Sequence, residues 1–302
     1  MTSRVPLARL PTPEHALPRL SEALGVEVFV KRDDLTGFGL SGNKVRKLER
    51  LFADAGDATA IITTGGIQSN HCRATALAAR QRGLVPHLLL RGEPPAEPDG
   101  NLLLDELAGA TIRWCTPEVY RDQRDAVMAE MAAGLRAEGE RPYVIPEGGS
   151  DAVGSLAFAD APDELEGTYD HVFVAVGSGG TLAGLAMSAI RGRVHGIAVC
   201  DDSAYFTAKV RSIAAAAGRP TPADWHVDDR YKGPAYSVAT PAIWDDIRLV
   251  CRLEGLLLDP CYTGKAMHAL CEEARAGRLS GRVLFWHTGG AFGLFGRGAE
   301  VR

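Results

Sequence analysis

Residues 172–184 read VFVAVGSGGTLAG, an apolar run that changes abruptly into a glycine-rich turn. The β-branched run predicts a buried strand, and the alanine and leucine residues after the glycines predict a helix. Glycines let the backbone approach an anion closely, and the start of the following helix carries a partial positive charge. With the hydroxyl groups of Ser178 and Thr181, this turn predicts a site for an anion, most simply a phosphate.

The same turn permits a second interpretation, a dinucleotide-binding fold. Gly177 and Gly179 match the first two glycines of that fingerprint, but the third position is Leu182. Asp201 and Asp202 follow the next apolar run, about where a ribose-binding carboxylate would stand. A nicotinamide-dependent oxidoreductase therefore stays open on the local pattern.

The alternation of strand, turn and helix recurs along the whole chain. Strands are predicted at residues 26–30, 60–63, 84–90, 111–114, 143–145, 171–176, 196–200 and 283–286. Helices are predicted at residues 43–53, 70–82, 102–108, 117–137, 151–158, 181–190, 204–217, 241–254 and 263–276, with a short closing helix. This alternation predicts an α/β fold with parallel-type twisted sheets flanked by helices.

The composition argues against several classes of protein. The 302 residues carry a net charge of −5, so a basic surface for nucleic acid is not expected. No apolar run approaches the roughly 20 residues of a membrane helix, and the first residues lack a secretory apolar segment. The six cysteines are scattered and the histidines lack metal-site spacing. We therefore expect a cytoplasmic protein with free thiols and no metal site.

A glycine-rich segment, residues 31–44, delivers Lys44 to the first turn of a predicted helix. The helix macrodipole disfavours an ammonium group there and tends to lower its pKa, and Schiff-base chemistry requires a neutral lysine amine. On this pattern alone, an ordinary solvated lysine remains an alternative. The neighbouring Arg46 and Lys47 are expected to be surface or phosphate-steering charges.

Polar side chains also follow the strand predicted at residues 60–63. Gln68, Ser69 and Asn70 place amide and hydroxyl groups beside the free N–H groups of a helix start, which is a suitable cradle for a carboxylate. Plain N-capping by Ser69 or Asn70 is an equal alternative. His71 is expected to be a structural histidine.

Thr288 and Tyr262 complete the candidate residues. Thr288 follows the last predicted strand beside two glycines, and Tyr262 opens a predicted helix. The Tyr262 phenol is either an acid or base group or a packed aromatic side chain.

Five segments together resemble one family: KRDDLTGF with SGNKVRKLE, TGGIQSNHCRATALAA, VGSGGTLAGL, DPCYTGKAM and HTGGAFGLF. In this order they resemble the D-cysteine desulfhydrase and 1-aminocyclopropane-1-carboxylate deaminase family, over residues 10–295. Members of this family are fold-type II enzymes, similar to the tryptophan synthase β-subunit, and use pyridoxal 5'-phosphate.

The resemblance implies a role for each candidate. Lys44 would hold the cofactor as a Schiff base and move the Cα proton. The cofactor phosphate would lie on Gly177, Ser178, Gly179, Gly180 and Thr181, with Thr288 at the pyridine nitrogen. Gln68, Ser69 and Asn70 would hold the substrate carboxylate, and Asn70 would also lie beside the cofactor 3-hydroxyl. Tyr262 would face the substrate from the other side, so the predicted catalytic residues are Lys44, Tyr262 and Ser69.

The resemblance also implies an organisation. A large cofactor domain would comprise residues 1–50 and 159–302, and a smaller, mobile domain residues 51–158. The family is homodimeric. A relative that kept the fold but lost activity is a third hypothesis, and the intact candidate residues argue against it.

Two positions favour one reaction of the family. Cyclopropane-opening members resemble this chain but carry Glu directly after the motif tyrosine and an apolar residue at the pyridine position, where this chain has Thr263 and Thr288. A hydroxyl at the pyridine nitrogen does not enforce ring protonation, which suits prompt loss of a β-substituent. We therefore expect β-elimination of D-cysteine or a similar amino acid to pyruvate, ammonia and sulfide.

One segment departs from the family. Residues 232–237 read KGPAYS where relatives have a glycine-rich loop near the substrate, and Tyr236 is the expected substrate contact in it. The substrate and its D or L form therefore stay open. Cyclopropane-ring opening and loss of sulfite from L-cysteate are the alternatives.

Overall fold

The computed structural model describes residues 3–298 and 300, which form two sheets surrounded by helices. The first sheet contains β1 (Glu14–Ala16), β2 (Glu27–Arg32), β7 (His171–Val176), β8 (Arg193–Ala198), β9 (Asp224–Asp228) and β10 (Arg282–His287), in the spatial order β1-β2-β10-β7-β8-β9. The second contains β3 (Ala60–Gly66), β4 (Val85–Arg91), β5 (Thr111–Cys115) and β6 (Pro142–Val144), in the order β5-β4-β3-β6. The α/β prediction is confirmed.

Helices connect the strands of both sheets. They are α1 (Pro18–Leu24), α2 (Asn43–Asp54), α3 (Asn70–Gln81), α4 (Gly100–Leu107), α5 (Pro117–Ala137), α6 (Ala152–Asp160), α7 (Gly180–Met187), α8 (Ser203–Ala216), α9 (Pro241–Glu254), α10 (Thr263–Arg275) and α11 (Ala291–Phe295). Among the described residues, none of these helices combines the length and apolar character needed to cross a bilayer.

Both faces of the six-stranded sheet are covered. On β10, Phe285 belongs to the apolar cluster that contains α9 and α10, whereas Leu284 and Trp286 belong to the cluster that contains α7 and α8. Successive residues of a strand point to opposite faces, so a strand buried on both sides reads as a continuous apolar run. This explains why the runs at 171–176 and 283–286 were recognisable from sequence.

The four-stranded sheet is parallel throughout, and its strands come from residues 60–144. They all fall within the segment 51–158 that we expected to form a smaller domain. Helix α2 begins before this segment and packs with α3 and α6. The domain boundaries and the mobility of the smaller domain stay predictions.

Three elements were missed by the sequence patterns, and one strand was misplaced. The short strand β1 pairs antiparallel with β2, Glu14 opposite Lys31, so the first sheet is not wholly parallel. Helix α1 has only seven residues, and β9 (DWHVD) is polar and half-exposed, so neither shows a clear period. The strand predicted at 196–200 is β8, which begins and ends earlier. Its first residue, Arg193, is polar and exposed, so the apolar pattern did not show where the strand begins.

Arg46 and Lys47 were expected to be surface or phosphate-steering charges, and the surface alternative was wrong, because both lie on the buried helix α2. Their side chains are 2% and 1% exposed. Arg46 donates to Asp33 at 2.8 and 2.9 Å and to Glu164 at 2.7 and 2.8 Å. A charge can be buried when it is paired and hydrogen-bonded, and sequence spacing gave no sign of these distant partners.

Candidate active site

A cavity of about 800 Å³ lies beyond the carboxyl ends of strands from both sheets. Most predicted site residues line it: Lys44, Ser69, Asn70, Gly177, Ser178, Gly179, Thr181, Tyr236, Tyr262 and Thr288. Gly180 and Gln68 are not among the lining residues. The four strand-end loops that the sequence patterns singled out, together with the segments that carry Tyr236 and Tyr262, therefore meet at one place.

Lys44 is positioned by contact between the start of α2 and the end of β10. The amide of Asn43 donates to the Thr288 carbonyl at 3.0 Å. Gly42 has a φ of 102°, and a Cβ there would stand 2.9 Å from the same carbonyl oxygen. A glycine is therefore needed immediately before this helix, and the close approach brings Lys44 and Thr288 to the same cavity.

The Lys44 amine lies 3.2 Å from the Gly148 carbonyl oxygen and 3.4 Å from Ser178 Oγ. Burial lowers the pKa of Lys44 to about 8, against an opposing attraction from the Glu147 carboxylate. Desolvation, rather than the helix dipole that the sequence suggested, is thus the main cause. About a tenth of the amine is then neutral at pH 7, far more than for an ordinary lysine, which favours Lys44 as a nucleophile and base.

The glycine loop leaves no room for side chains. A Cβ at Gly177 would lie 2.7 Å from the Tyr262 ring, and one at Gly180 would lie 2.5 Å from Ser150 Oγ. Ser150 Oγ in turn accepts from the Gly180 amide at 3.2 Å and contacts Ser178 Oγ at 2.7 Å. The result is a cradle of hydroxyl groups and backbone amides at the start of α7.

Lys47 completes this cradle, where the phosphate-steering alternative of its two expected roles would place it. Its amine donates to the Gly148 carbonyl at 3.3 Å and to Ser150 Oγ at 3.1 Å. No carboxylate within residues 3–298 or at 300 pairs with it, and burial together with the Lys44 charge lowers its pKa. A buried cation beside a glycine cradle is a donor set that fits a phosphate group.

Ser69 and Asn70 stand at the start of α3. Ser69 Oγ accepts from the Cys72 amide at 3.2 Å, so Ser69 is the helix cap, and it also lines the cavity. Arg73 donates through Nε to Asn101 Oδ1 at 3.2 Å, and Asn101 Nδ2 donates to Asn70 Oδ1 at 3.0 Å. Since Arg73 can only donate, this chain fixes the amide orientation and leaves the Asn70 Nδ2 group as the donor for the cavity.

Gln68 occupies a different place from the one expected. Its amide donates to the Asp99 carboxylate at 2.6 Å and accepts from the Asn101 backbone amide at 2.8 Å. The side chain thereby ties the cradle to α4 and lies outside the residues that line the main cavity. The geometry gives Gln68 a positioning role toward Asn101 instead of a direct contact with a substrate carboxylate.

His71 has the contacts of a structural histidine. Its Nε2 lies 2.8 Å from Thr63 Oγ1, whose hydroxyl donates to the Ile145 carbonyl at 2.9 Å. The threonine oxygen is therefore the acceptor, which places the imidazole proton on Nε2. Burial and the nearby charges of Lys44 and Lys47 lower the pKa of His71, so the ring is neutral.

Two tyrosines form the opposite wall. Their hydroxyl oxygens, on Tyr236 and Tyr262, are 2.5 Å apart. Burial raises the pKa of both phenols, and their mutual proximity adds to the effect for Tyr262. Both remain protonated across the physiological range, so the pair can donate one proton toward the cavity while keeping its internal hydrogen bond.

The loop of residues 232–237, which differs from the glycine-rich loop of relatives, is held by a side chain that the sequence patterns did not single out. Lys265 is fully buried and donates to the carbonyl groups of Val199 and Ala235, each at 2.9 Å, and to that of Lys232. Its burial lowers its pKa. These hydrogen bonds hold the loop in the position in which Tyr236 contacts Tyr262.

Thr263, the position that distinguishes members of the family, points away from the cavity. Its hydroxyl donates to the Asp259 carboxylate at 2.6 Å and accepts from the Asp259 amide at 2.8 Å. Thr288, by contrast, lines the cavity. No carboxylic acid follows the motif tyrosine, and a hydroxyl occupies the end of β10.

Comparison with known protein families identifies the family of this chain. The family model described as pyridoxal-phosphate dependent enzyme matches residues 5–289. The chain belongs to this family. It therefore uses pyridoxal phosphate, as the predicted cofactor, and the alternative of a nicotinamide enzyme is wrong. Asp202, one basis of that alternative, is the cap of α8, where it accepts from the Tyr205 amide at 2.7 Å.

Individual relatives agree with this assignment. The chain is 40% identical to the bifunctional D-cysteine desulfhydrase/1-aminocyclopropane-1-carboxylate deaminase of Arabidopsis thaliana. The aligned region covers 96% of this chain and 78% of the relative. It is also 40% identical to the D-cysteine desulfhydrase of Salmonella schwarzengrund, with 97% and 95% covered. The crystal structure of a 1-aminocyclopropane-1-carboxylate deaminase homologue superposes with a TM-score of 0.87, at 37% identity and 99% and 95% coverage. The resemblance and the fold-type II architecture are thus confirmed.

Proposed function

We propose that this enzyme removes a β-substituent from a small amino acid and releases pyruvate and ammonia, as a D-cysteine desulfhydrase does. The observation that carries the proposal is the meeting of Lys44, Ser69 and the Tyr236–Tyr262 pair at one cavity, beside a cradle built for phosphate. These groups are a base, a carboxylate site and an acid, which β-elimination requires in close proximity.

The residues present fit pyridoxal phosphate. Lys47, Ser150 and the loop from Gly177 to Thr181 would hold its phosphate, Asn70 would donate to its 3-hydroxyl, and Thr288 would face its pyridine nitrogen. When bound, the cofactor supplies an electron sink that weakens bonds at the substrate Cα. The protein supplies the positions of the groups around that carbon.

Each polar group then has one task. Ser69 and the amides at the start of α3 would hold the substrate carboxylate. Lys44, with its lowered pKa, would take the Cα proton. The Tyr262 hydroxyl, kept protonated by burial, would donate to the departing β-substituent, and Tyr236 would hold it in place. Water would then hydrolyse the released 2-aminoacrylate to pyruvate and ammonia.

Two side chains favour elimination over cyclopropane-ring opening. Thr263 is turned into a cap with Asp259, so no carboxylic acid stands beside the Tyr262 phenol. Thr288 presents a hydroxyl where an apolar residue accompanies ring opening. Cyclopropane-ring opening and loss of sulfite from cysteate remain the competing activities. We further propose a homodimer, a cytoplasmic location and a mobile domain of residues 51–158.

A substrate panel tests the proposed activity. The holoenzyme is assayed for keto-acid release from D- and L-cysteine, β-chloroalanine, cysteate and 1-aminocyclopropane-1-carboxylate. We expect pyruvate from amino acids with a β-leaving group. Release of 2-oxobutyrate from the cyclopropane substrate, with none from the others, would sink the proposal.

A chemical label tests the assigned lysine. Borohydride reduction of the holoenzyme should bleach its visible band and fix the cofactor on Lys44, as read by peptide mass analysis. Lys44→Ala is the control and should carry no label. A label on Lys47 in the unaltered enzyme would contradict the assignment.

A further inference from the structure

Lys265 is a fully buried lysine whose amine lies among three backbone carbonyl oxygens. It donates to Val199 and to Ala235 at 2.9 Å each, and also to Lys232. A lysine ammonium group carries three N–H donors, and the neutral amine carries one fewer. The three acceptors therefore use every donor of the charged form, so this arrangement holds Lys265 as a cation.

Carbonyl dipoles, instead of a carboxylate, balance the charge of Lys265. Within residues 3–298 and at 300, no carboxylate forms an ion pair with it. The nearby Asp259 carboxylate accepts from the amides of Tyr262 at 2.6 Å and Thr263 at 3.0 Å, at the start of α10. Rings of backbone carbonyl oxygens are also how proteins coordinate potassium ions. The three carbonyl groups thus form a cation cage that the ammonium group of the chain itself occupies.

The two lysines of the active site differ from Lys265 in their acceptors. Lys44 and Lys47 each donate to one carbonyl and one hydroxyl oxygen, which leaves one donor of the charged form for a ligand. Lys265 has no donor left, and it is not among the residues that line the active-site cavity. Its contribution to the site therefore passes through the segments that it joins.

The cage joins the two segments that carry the tyrosine pair. Lys265 lies in the first turn of α10, three residues after Tyr262. Two of its acceptors belong to the loop of residues 232–237, which carries Tyr236, and the third acceptor directly follows β8. The hydroxyl oxygens of Tyr236 and Tyr262 are 2.5 Å apart. A shift of the loop relative to α10 would separate them.

The loop needs contacts from outside to keep its shape. Ser237 has a φ of 61°, a left-handed conformation that costs energy for a residue with a side chain. Gly233 has a φ of 70°, and a Cβ there would stand 3.0 Å from the Val238 carbonyl oxygen. Strained backbone persists only where the surrounding structure holds it. The ammonium group of Lys265 supplies two such contacts.

We propose that Lys265 is a positioning residue for proton donation, an internal cation that occupies a monovalent-cation site and thereby aligns Tyr236 with Tyr262. The inference rests on the proposed function, in which this pair protonates the departing group. A departing thiolate gains from such a proton, whereas chloride, the anion of a strong acid, leaves without one. The effect of losing the alignment should therefore depend on the leaving group.

Two leaving groups of different basicity test the positioning role. Pyruvate release from cysteine and from β-chloroalanine, in the configuration that the enzyme accepts, is measured for the unaltered holoenzyme, Lys265→Met and Lys31→Met. Lys31 is the matched control. It is also fully buried and donates to the carbonyl groups of Thr12 at 2.8 Å and Glu164 at 3.3 Å, but it lies on β2 and does not line the cavity.

We expect Lys265→Met to lower kcat for cysteine by about 10- to 100-fold, a partial loss of the general-acid contribution, and kcat for β-chloroalanine by less than about 3-fold. The ratio of the two kcat values should be unchanged in Lys31→Met. Equal losses for both substrates in Lys265→Met would overturn the inference, because Lys265 would then support the fold in general.

Added cations test the cage itself. Lys265→Ala removes the ammonium group and leaves the three carbonyl groups facing a void. Potassium or ammonium chloride should then restore kcat for cysteine and raise the thermal unfolding midpoint of the cofactor-free variant, since an ion that binds only the native state stabilises it. Tetramethylammonium chloride, whose cation is too large for the cage, controls for ionic strength. The unaltered enzyme should respond to the three salts alike.

The outcomes separate the cage from the proposed activity. An equal response of Lys265→Ala to all three salts would refute the cage, as would selective activation of the unaltered enzyme by potassium. If the unaltered enzyme releases no pyruvate from any β-substituted amino acid, the proposed activity fails, while a midpoint raised selectively by potassium and ammonium still supports the cage. If Lys265→Ala does not fold, the comparison of leaving groups in Lys265→Met decides the positioning role.

Discussion

Two faces of α2 carry cations that differ in one respect, the presence of a carboxylate partner. Arg46 is bound by Asp33 and Glu164, and Arg50 pairs with Asp160. Lys44 and Lys47 lie on the same helix and touch only carbonyl and hydroxyl oxygens. Burial lowers the pKa of both lysines, whereas the carboxylates around Arg46 raise the pKa of that group.

The difference separates the cations that hold the fold from those that await a ligand. A paired buried ion is satisfied within the protein, and removing it leaves the partner carboxylate exposed to an apolar interior. An unpaired lysine costs stability in the empty protein and recovers that cost when an anion or a carbonyl compound binds.

The largest effect is expected from the paired side. Arg46→Met should lower the free energy of unfolding by about 3 to 5 kcal/mol, because the buried Asp33 carboxyl would lose its cationic partner. Urea unfolding of the cofactor-free protein measures it. Arg121→Met, which breaks an exposed pair, should cost less than about 1 kcal/mol. A loss for Arg46→Met as small as this control would remove the distinction between the two faces.

The unpaired side predicts the reverse pattern. Lys47→Met should weaken pyridoxal phosphate binding by about 10- to 100-fold, the loss of one charge-assisted hydrogen bond. The free energy of unfolding without cofactor should not fall and should change by less than about 1 kcal/mol, since a desolvated amine is replaced by an apolar chain of similar length. Fluorescence titration gives the affinity. A large loss of stability with unchanged affinity would assign Lys47 to the fold.

The smallest effect is a pH dependence that sharpens the assignment of Lys44. Only the neutral amine attacks an aldehyde, and burial sets the pKa of this amine at about 8. The rate at which cofactor-free protein gains its visible band should therefore rise about tenfold per pH unit below pH 8 and level off above it. Lys44→Arg should show no band. A midpoint near the ordinary lysine pKa would mean that Lys44 is solvated in the empty enzyme.

Much of the site was predictable because its parts are local. Lys44, Ser69, the loop from Gly177 to Thr181 and Thr288 each follow a strand, and parallel strands bring their carboxyl ends to one edge. Positions 42 and 177 require glycine because a side chain would clash there, so these glycines mark the close approaches in the sequence. Such residues can be found by reading one segment at a time.

The other contributors were not predictable in this way. Lys47 was expected to be a surface or phosphate-steering charge, Gln68 was expected on the substrate, and Asn101 and Lys265 carried no motif. Each is defined by a partner from a distant segment, as Asn101 is by Arg73 and Asn70. Residue type and spacing do not report such partners.

The sequence by itself determined the alternation of strands and helices, the glycine turns and, through its resemblance to a family, the cofactor. Those features depend on backbone sterics and on periodic burial, which residues close together in the sequence determine. Only the tertiary structure decided which charges are paired and which are free, because the energy of a buried charge depends on every group that folding brings around it. For Lys44 and Lys47, the absence of a carboxylate partner within the described residues marks them for ligands.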